Sequence, residues 1–168
     1  MNEPSIGSKL VTIGVYGFTE AAFFAALPRA GVTTFCDLRW RRGVRGAEYA
    51  FANRGRLQRR LAALGIRYLH FRELAPSPAL RQRQLEADQA QGLTKRKRTA
   101  LSEVFVERYC AEHLAKFDSR KFVAQLGAAA GVVALFCVER EPAACHRSLL
   151  AARLQSDLGL AVLHLLPE

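Results

Sequence analysis

Short apolar runs separated by helical patterns recur along the first half of the chain. The β-branched runs at residues 10–15, 32–38 and 66–71 are bounded by glycines, which is typical of buried strands. Residues 20–29 and 54–64 lie between these runs and carry apolar positions at helical spacing. This half of the chain therefore predicts the order β-α-β-α-β.

A mainly helical insertion, residues 75–118, interrupts this alternation before it resumes. The remaining predicted elements are two helices in the insertion, then a helix, strand, helix and strand, at residues 79–89, 99–117, 119–129, 132–138, 142–158 and 160–165. Continuous apolar strands indicate burial on both faces. We therefore predict a single α/β domain over residues 1–168, a three-layer open sheet of about five mostly parallel strands with helices on both faces. Residues 1–9 are expected to be flexible.

The charge of the chain changes the functional picture. The formal net charge is +10, from 25 Lys plus Arg against 15 Asp plus Glu, and 20 of those cations are arginine. Arginine recognises phosphate and carboxylate bidentately, so an anionic ligand, a nucleotide or a nucleic acid, is one interpretation. The alternative is that arginine simply covers an ordinary solvated surface.

Other features set the class of protein. No run approaches the roughly 20 apolar residues that cross a bilayer, and the first residues do not resemble a signal peptide. The four cysteines are widely spaced without a CxxC pair, so we expect a cytoplasmic protein with free thiols and no membrane partner. Neither a Walker loop nor G-x-G-x-x-G occurs, so no nucleotide-cofactor motif is present. A metal is possible but not predicted, and the pattern does not indicate an oligomeric state.

Polar or small residues stand where the predicted strands end, and ligands of open α/β sheets bind at that edge. The candidates for ligand binding at the ends of the first three strands are Gly14, Tyr16, Gly17, Arg39 and His70. Asp37 at the end of the second strand and Glu139 after the fourth are candidates for acid/base catalysis. Asp37 and Arg39 as a simple ion pair, and His70 at the edge of the core, are the structural alternatives.

The most informative motif runs from Cys137 to Arg147, where a strand passes through a turn into a helix. Cys145 and His146 are expected in the first turns of that helix, whose free N–H groups and dipole suit an anion. Together with Arg140 and Arg147, this environment would stabilise a thiolate at Cys145. Cys137 by itself is more typical of a core residue, and His146 could simply pack or cap.

A basic loop follows the second strand. It combines Arg41, Arg42 and Arg45 with the aromatic Trp40, a mixture that suits phosphate contacts and base stacking. The basic run at residues 95–98 could also follow a phosphate backbone, but a solvated loop is the commoner meaning of such a run.

Several of these segments resemble, in the right order and over nearly the whole chain, domain-of-unknown-function family 488. The matching segments are Thr12-Ile13-Gly14 with Phe18, Asp37-Leu38-Arg39, residues 65–70, residues 105–109, and Cys137-Val138-Glu139-Arg140 with Cys145-His146-Arg147. The resemblance implies an α/β fold and a candidate site rather than an activity. It places the family's acidic-basic pair at Asp37 and Arg39, and its Cys-His-Arg at residues 145–147.

Two positions depart from the family pattern. Val15 stands where many members carry a histidine, so no histidine at this position can act in catalysis here. The sequence Leu74-Ala75-Pro76 replaces a common Leu-Gly-Gly and predicts a stiffer loop after the third strand. A substrate contact shared through that loop is therefore not expected.

Three functions remain open from sequence. The first is an enzyme on an anionic, nucleotide-like or nucleic-acid substrate, with Cys145 as nucleophile or essential thiol and Arg39, Arg140 and Arg147 neutralising substrate charge. The second is a non-catalytic nucleic-acid-binding or regulatory module. The third is a metal site at Cys145, His146 and either a carboxylate or Cys137. Adjacent helical residues are awkward joint ligands, because their side chains diverge by about 100°.

Overall fold

The computed structural model describes residues 6–168, in which strands and helices alternate. The five strands are β1 (Ile6–Ile13), β2 (Val32–Asp37), β3 (Arg67–His70), β4 (Gly131–Phe136) and β5 (Ala161–Leu165). The six α-helices are α1 (Glu20–Arg29), α2 (Arg54–Ala63), α3 (Pro78–Ala90), α4 (Glu103–Glu112), α5 (Ser119–Leu126) and α6 (His146–Leu158). Among the helices of residues 6–168, none combines the length with the apolar composition that a membrane-spanning helix needs.

All five strands form one parallel sheet in the order β3-β2-β4-β1-β5, which confirms the predicted open α/β sheet. The register aligns the strand ends: Phe136 of β4 lies opposite Ile13 of β1 and opposite Asp37 of β2. Asp37 in turn pairs with His70 of β3. The residues that follow these strands therefore emerge side by side along one edge.

Each face of the sheet has its own apolar core. Phe23 of α1 and Leu57 of α2 pack on one face, whereas Leu80, Tyr109 and Leu150 pack on the other. The insertion therefore belongs to the second layer and carries α3 and α4 over the end of β4. These two cores make the domain three-layered, as the continuous apolar strands predict.

The position of β4 creates a crevice at its carboxyl end. The helices that follow its neighbours, β1 and β2, lie on one face of the sheet, whereas α6, which follows β4, lies on the other. Connections that leave in opposite directions open a space between them, where ligands of α/β proteins bind.

Some boundaries differ from the predicted ones. Residues 6–9, expected to be flexible, form the start of β1, while residues 1–5 lie outside the described part. The helix predicted over residues 99–117 is shorter, because α4 ends at Glu112 and a separate 3-10 turn follows at Leu114–Lys116. The next helix ends at Leu126, where Gly127 with φ of 82° caps it.

Candidate active site

A cavity of about 630 Å³ occupies the crevice at the end of β4. Its walls come from the loop after β2, the residues after β4, the start of α6, helix α3 and the basic segment at residues 94–98. Cys145, His146, Glu139 and Cys137 all line it. The sequence motif from Cys137 to Arg147 therefore contributes part of the wall of a cavity, and these four members are almost completely buried.

Cys145 does not lie inside the helix as the sequence suggests. Pro142–Ala144 form a 3-10 turn, Cys145 is extended at φ −140° and ψ 142°, and α6 begins at His146. Cys145 is thus the N-cap residue of a 13-residue helix. The positive end of the helix dipole favours a negatively charged sulfur at this position.

The extended conformation brings the Cys145 and His146 side chains together. The Cys145 Sγ lies 3.7 Å from Nδ1 of His146, and Nε2 of the same ring lies 3.0 Å from the carbonyl oxygen of Leu38. A carbonyl only accepts hydrogen bonds, so Nε2 must carry a proton and donate it. In the neutral ring Nδ1 is then free to take the thiol proton, which yields a thiolate beside an imidazolium.

The surroundings stabilise this charge-separated pair. Burial and the nearby Glu139 charge raise the pKa of Cys145, but the hydrogen bond with the Cys137 thiol and the charges of His146 and Arg147 outweigh them and lower this pKa to about 5. Burial lowers the pKa of His146, yet the Cys145 thiolate outweighs it and the pKa rises. Hydrogen bonding to Cys145, together with burial, raises the pKa of Cys137. These opposite directions favour the thiolate at Cys145 and the neutral thiol at Cys137.

Glu139 brings a carboxylate to the same cavity, with only 5% of the residue exposed. Its Oε1 accepts from Nη2 of Arg98 at 3.1 Å and lies 3.5 Å from Nζ of Lys95. Its buried Oε2 has no partner among residues 6–168. Burial opposes the charge, but Lys95 and Arg98 lower the pKa of Glu139 well below its usual range, so the free oxygen is a hydrogen-bond acceptor.

Arg147 shapes the turn beneath the site. The side chain is fully buried and donates to the carbonyl oxygens of Glu139, at 2.6 Å, and of Arg140, at 3.1 Å. It has no acidic partner among residues 6–168. A Cβ added to Gly14 would lie 1.9 Å from the same Glu139 oxygen. Gly14 is therefore required for a close approach of β1 to this turn rather than for ligand access, and Arg147 supplies fixed positive charge.

Asp37 and Arg39 form a buried ion pair, and both carboxylate oxygens of Asp37 already accept hydrogen bonds from protein groups. Asp37 Oδ1 and Oδ2 accept from Nε and Nη2 of Arg39 at 2.9 and 2.8 Å, and the Tyr68 hydroxyl donates to Oδ2 at 2.6 Å. Arg39 lines the cavity, but Asp37, with no exposed surface, does not. Nε2 of His70 lies 2.8 Å from the Arg39 carbonyl oxygen, so this ring contacts the backbone of the loop after β2 and does not line the cavity.

The predicted binding residues from the other strand ends are dispersed. Tyr16 lines the cavity, and its ring centroid lies 5.3 Å from that of Tyr49. The backbone N–H of Gly17 donates to the Tyr49 hydroxyl at 3.0 Å, so Gly17 supports Tyr16. Arg140 is exposed and forms an ion pair with Glu141, and neither lines the cavity.

The basic loop after β2 divides between the cavity and its surroundings. Trp40, Arg41 and Arg45 line the cavity, whereas Arg42 lies 3.5 Å from the Tyr68 hydroxyl and does not. The Arg72 guanidinium covers the Trp40 ring at 4.1 Å.

Arg98 is the main site residue that sequence reasoning missed, since its basic run was interpreted as a solvated loop. Its guanidinium is buried, donates to Asp88 at 2.7 Å and bonds to Glu139 and to the Ala144 carbonyl oxygen. Asp88 also accepts from Gln84 at 2.9 Å. These partners are 10 and 41 positions away from Arg98, so no local pattern could reveal them.

The same cluster contains a potential set of metal ligands. The Sγ atoms of Cys137 and Cys145 and a ring nitrogen of His146 lie within 4.8 Å of one another. Two thiolates and an imidazole suit Zn²⁺, and a hydrogen bond from the other ring nitrogen to a carbonyl is typical of zinc-bound histidine. Because Cys145 is extended, the predicted divergence of adjacent helical side chains does not apply.

Comparison with known proteins gives one finding. The family described as Domain of unknown function DUF488 matches residues 20–154, a range that contains β2, β4, the cavity walls and the Cys-His-Arg motif. No curated protein and no solved structure matches the chain.

Proposed function

This chain belongs to the DUF488 family, and we propose that it is an enzyme that acts on an anionic substrate. In this proposal the Cys145 thiolate is the nucleophile, and the geometry of the site supports it. The observation that carries the proposal is the arrangement of His146 between Cys145 and the Leu38 carbonyl. It gives the imidazole a fixed tautomer with its free nitrogen facing the thiol, as nucleophilic cysteine catalysis requires.

Each group at the cavity has a role in this proposal. Cys145 Sγ attacks the electrophilic atom of the substrate, and the Nδ1–H of the His146 imidazolium protonates the leaving group. The free Oε2 of Glu139 accepts a hydrogen bond from substrate. Arginines on the cavity wall hold the anionic part, and Asp37 keeps Arg39 in place.

A second candidate rests on the cluster of Cys137, Cys145 and His146, which could hold a soft divalent ion. Metal analysis of protein purified without a histidine tag separates the two. One equivalent of zinc, lost in both Cys137→Ser and Cys145→Ser, supports the metal site. A metal-free protein with a reactive Cys145 supports the nucleophile.

Selective alkylation tests the proposed nucleophile. We expect iodoacetamide, at about pH 5.5, to label Cys145 at least about tenfold faster than the half-buried Cys110. Only a thiolate reacts, and an ordinary thiol with a pKa of about 8.5 is only about 0.1% ionised at this pH, which outweighs the lower intrinsic nucleophilicity of a low-pKa thiolate. Mass spectrometry of the same digest measures both sites, so Cys110 is an internal reference. If Cys145 reacted no faster than Cys110 at any pH, the nucleophile would have to be abandoned.

A further inference from the structure

The cations that line the cavity fall into two groups, and the first is neutralised within the protein. Arg98 is paired with both Asp88 and Glu139, and Lys95 is paired with Glu139, so these two cations hold Glu139 in place. The other members of this group are the ion-paired residues Arg39, with Asp37, and Arg96, with Glu48. Because carboxylates balance the charge of this group, it leaves little attraction for an additional anion.

The second group has no acidic partner among residues 6–168 and consists of Arg41, Arg45 and Arg81. Within it, Arg41 in the loop after β2 and Arg81 on α3 lie close enough for their charges to interact across the cavity. The Nε atom of Arg81 is buried and has no hydrogen-bond partner among the described residues, 6–168. Burial and then the nearby Arg41 charge lower the pKa of Arg81, as expected for two cations held together without an anion.

The cavity also contains an unsatisfied acceptor, the buried Oε2 of Glu139. A carboxylate repels the anionic part of a ligand but accepts a hydrogen bond from a hydroxyl or N–H group. The ligand that satisfies both features therefore has two ends, with its negative charge at the arginines and a hydrogen-bond donor at Glu139.

From this pattern we propose that Arg41 and Arg81 form a subsite for a phosphate monoester, whose hydroxylated organic group extends toward Glu139. Two guanidinium groups match the double charge and the several oxygens of a phosphate monoester better than a single carboxylate. The volume of about 630 Å³ suits one small molecule or one terminal nucleotide and is too small for a duplex. The inference depends on the proposed function only in taking this ligand to be the substrate.

Calorimetric binding of inorganic phosphate and of adenosine monophosphate tests the subsite. We expect Arg41→Gln and Arg81→Gln each to weaken binding of both probes about tenfold or more, since each removes a charge-assisted contact. Arg83→Gln is the matched control, because Arg83 lies on the same helix, is exposed and does not line the cavity. Equal affinities in all four proteins, or an equal loss in the control, would overturn the subsite.

The organic end is tested with Glu139→Gln. We expect wild-type protein to bind adenosine monophosphate more tightly than phosphate, and this preference to fall in the variant because the amide is a weaker acceptor. An unchanged preference would remove Glu139 from the ligand site. A terminally phosphorylated oligonucleotide that binds more tightly than the mononucleotide, through both arginines, would assign the monoester to a nucleic-acid end.

The subsite and the nucleophile can fail separately. Suppose that Cys145 of the wild-type protein alkylates slowly while the Cys145→Ser variant still binds phosphate. This result would retain the subsite and exclude the proposed nucleophile. Rapid alkylation of Cys145 without phosphate binding would retain the nucleophile and exclude the subsite.

Discussion

Gly14→Ala is expected to destabilise the domain by about 3 to 5 kcal/mol. The added Cβ would lie 1.9 Å from the carbonyl oxygen of Glu139 and 3.2 Å from Nη1 of Arg147. An ordinary overpacked methyl costs about 1–3 kcal/mol because side chains can yield. Here the backbone itself must move, and the buried guanidinium of Arg147 would lose an acceptor.

Urea unfolding measures this change, with Gly55→Ala as the control. Gly55 lies inside α2, and a Cβ there would meet only Nη1 of Arg59, at 3.4 Å. Alanine at that position should stabilise the helix by about 0.5–1 kcal/mol. A Gly14→Ala protein as stable as the wild type would show that β1 and the turn after β4 do not meet as described.

His146→Gln is expected to displace the pH dependence of Cys145 alkylation to higher pH. Without the imidazolium the pKa of Cys145 rises from about 5 toward its ordinary value of about 8.5, so at about pH 5.5 the thiolate fraction falls about 800-fold. A thiolate of higher pKa is intrinsically more nucleophilic, which offsets about 40-fold of that loss. The net prediction is an alkylation rate about 20-fold lower near pH 5.5.

Above the ordinary thiol pKa the order of the two proteins should invert. Both are then fully ionised, and the variant carries the more nucleophilic sulfur. Blocked access to the cavity would instead slow the variant at every pH, so two rate profiles that never cross would contradict the role of His146. His164→Gln is the control, because His164 lies on β5 and bonds to Thr12, away from the cavity.

The edge of the sheet could be predicted from sequence because strand ends depend on local patterns. Apolar runs place Asp37 at the end of β2 and Glu139 after β4, and a parallel sheet aligns such positions. The motif around Cys145 was found for the same reason, since reactive side chains between a strand and a helix are visible in a short window. These parts of the site depend on neighbours in the sequence.

The rest of the site depends on contacts between distant segments. Nothing near Arg98 indicates that it bridges Asp88 and Glu139, and nothing near Gly14 indicates that a carbonyl from residue 139 will touch it. The extended conformation of Cys145 also could not be predicted from the local sequence, because Pro142 starts a 3-10 turn rather than the α-helix that its pattern favours. Tertiary packing overrides local propensity at these positions.

The pH titration of the thiolate by ultraviolet absorbance, as the difference between wild-type protein and Cys145→Ser, tests the Cys145–His146 pair most directly. A folded-state pKa below the ordinary value means that the thiolate is already present under neutral conditions and is lost only as the solution is acidified. We therefore expect the difference signal of one thiolate at about pH 7. A signal that develops only at about pH 8.5 or above would contradict the ion pair and the mechanism built on it.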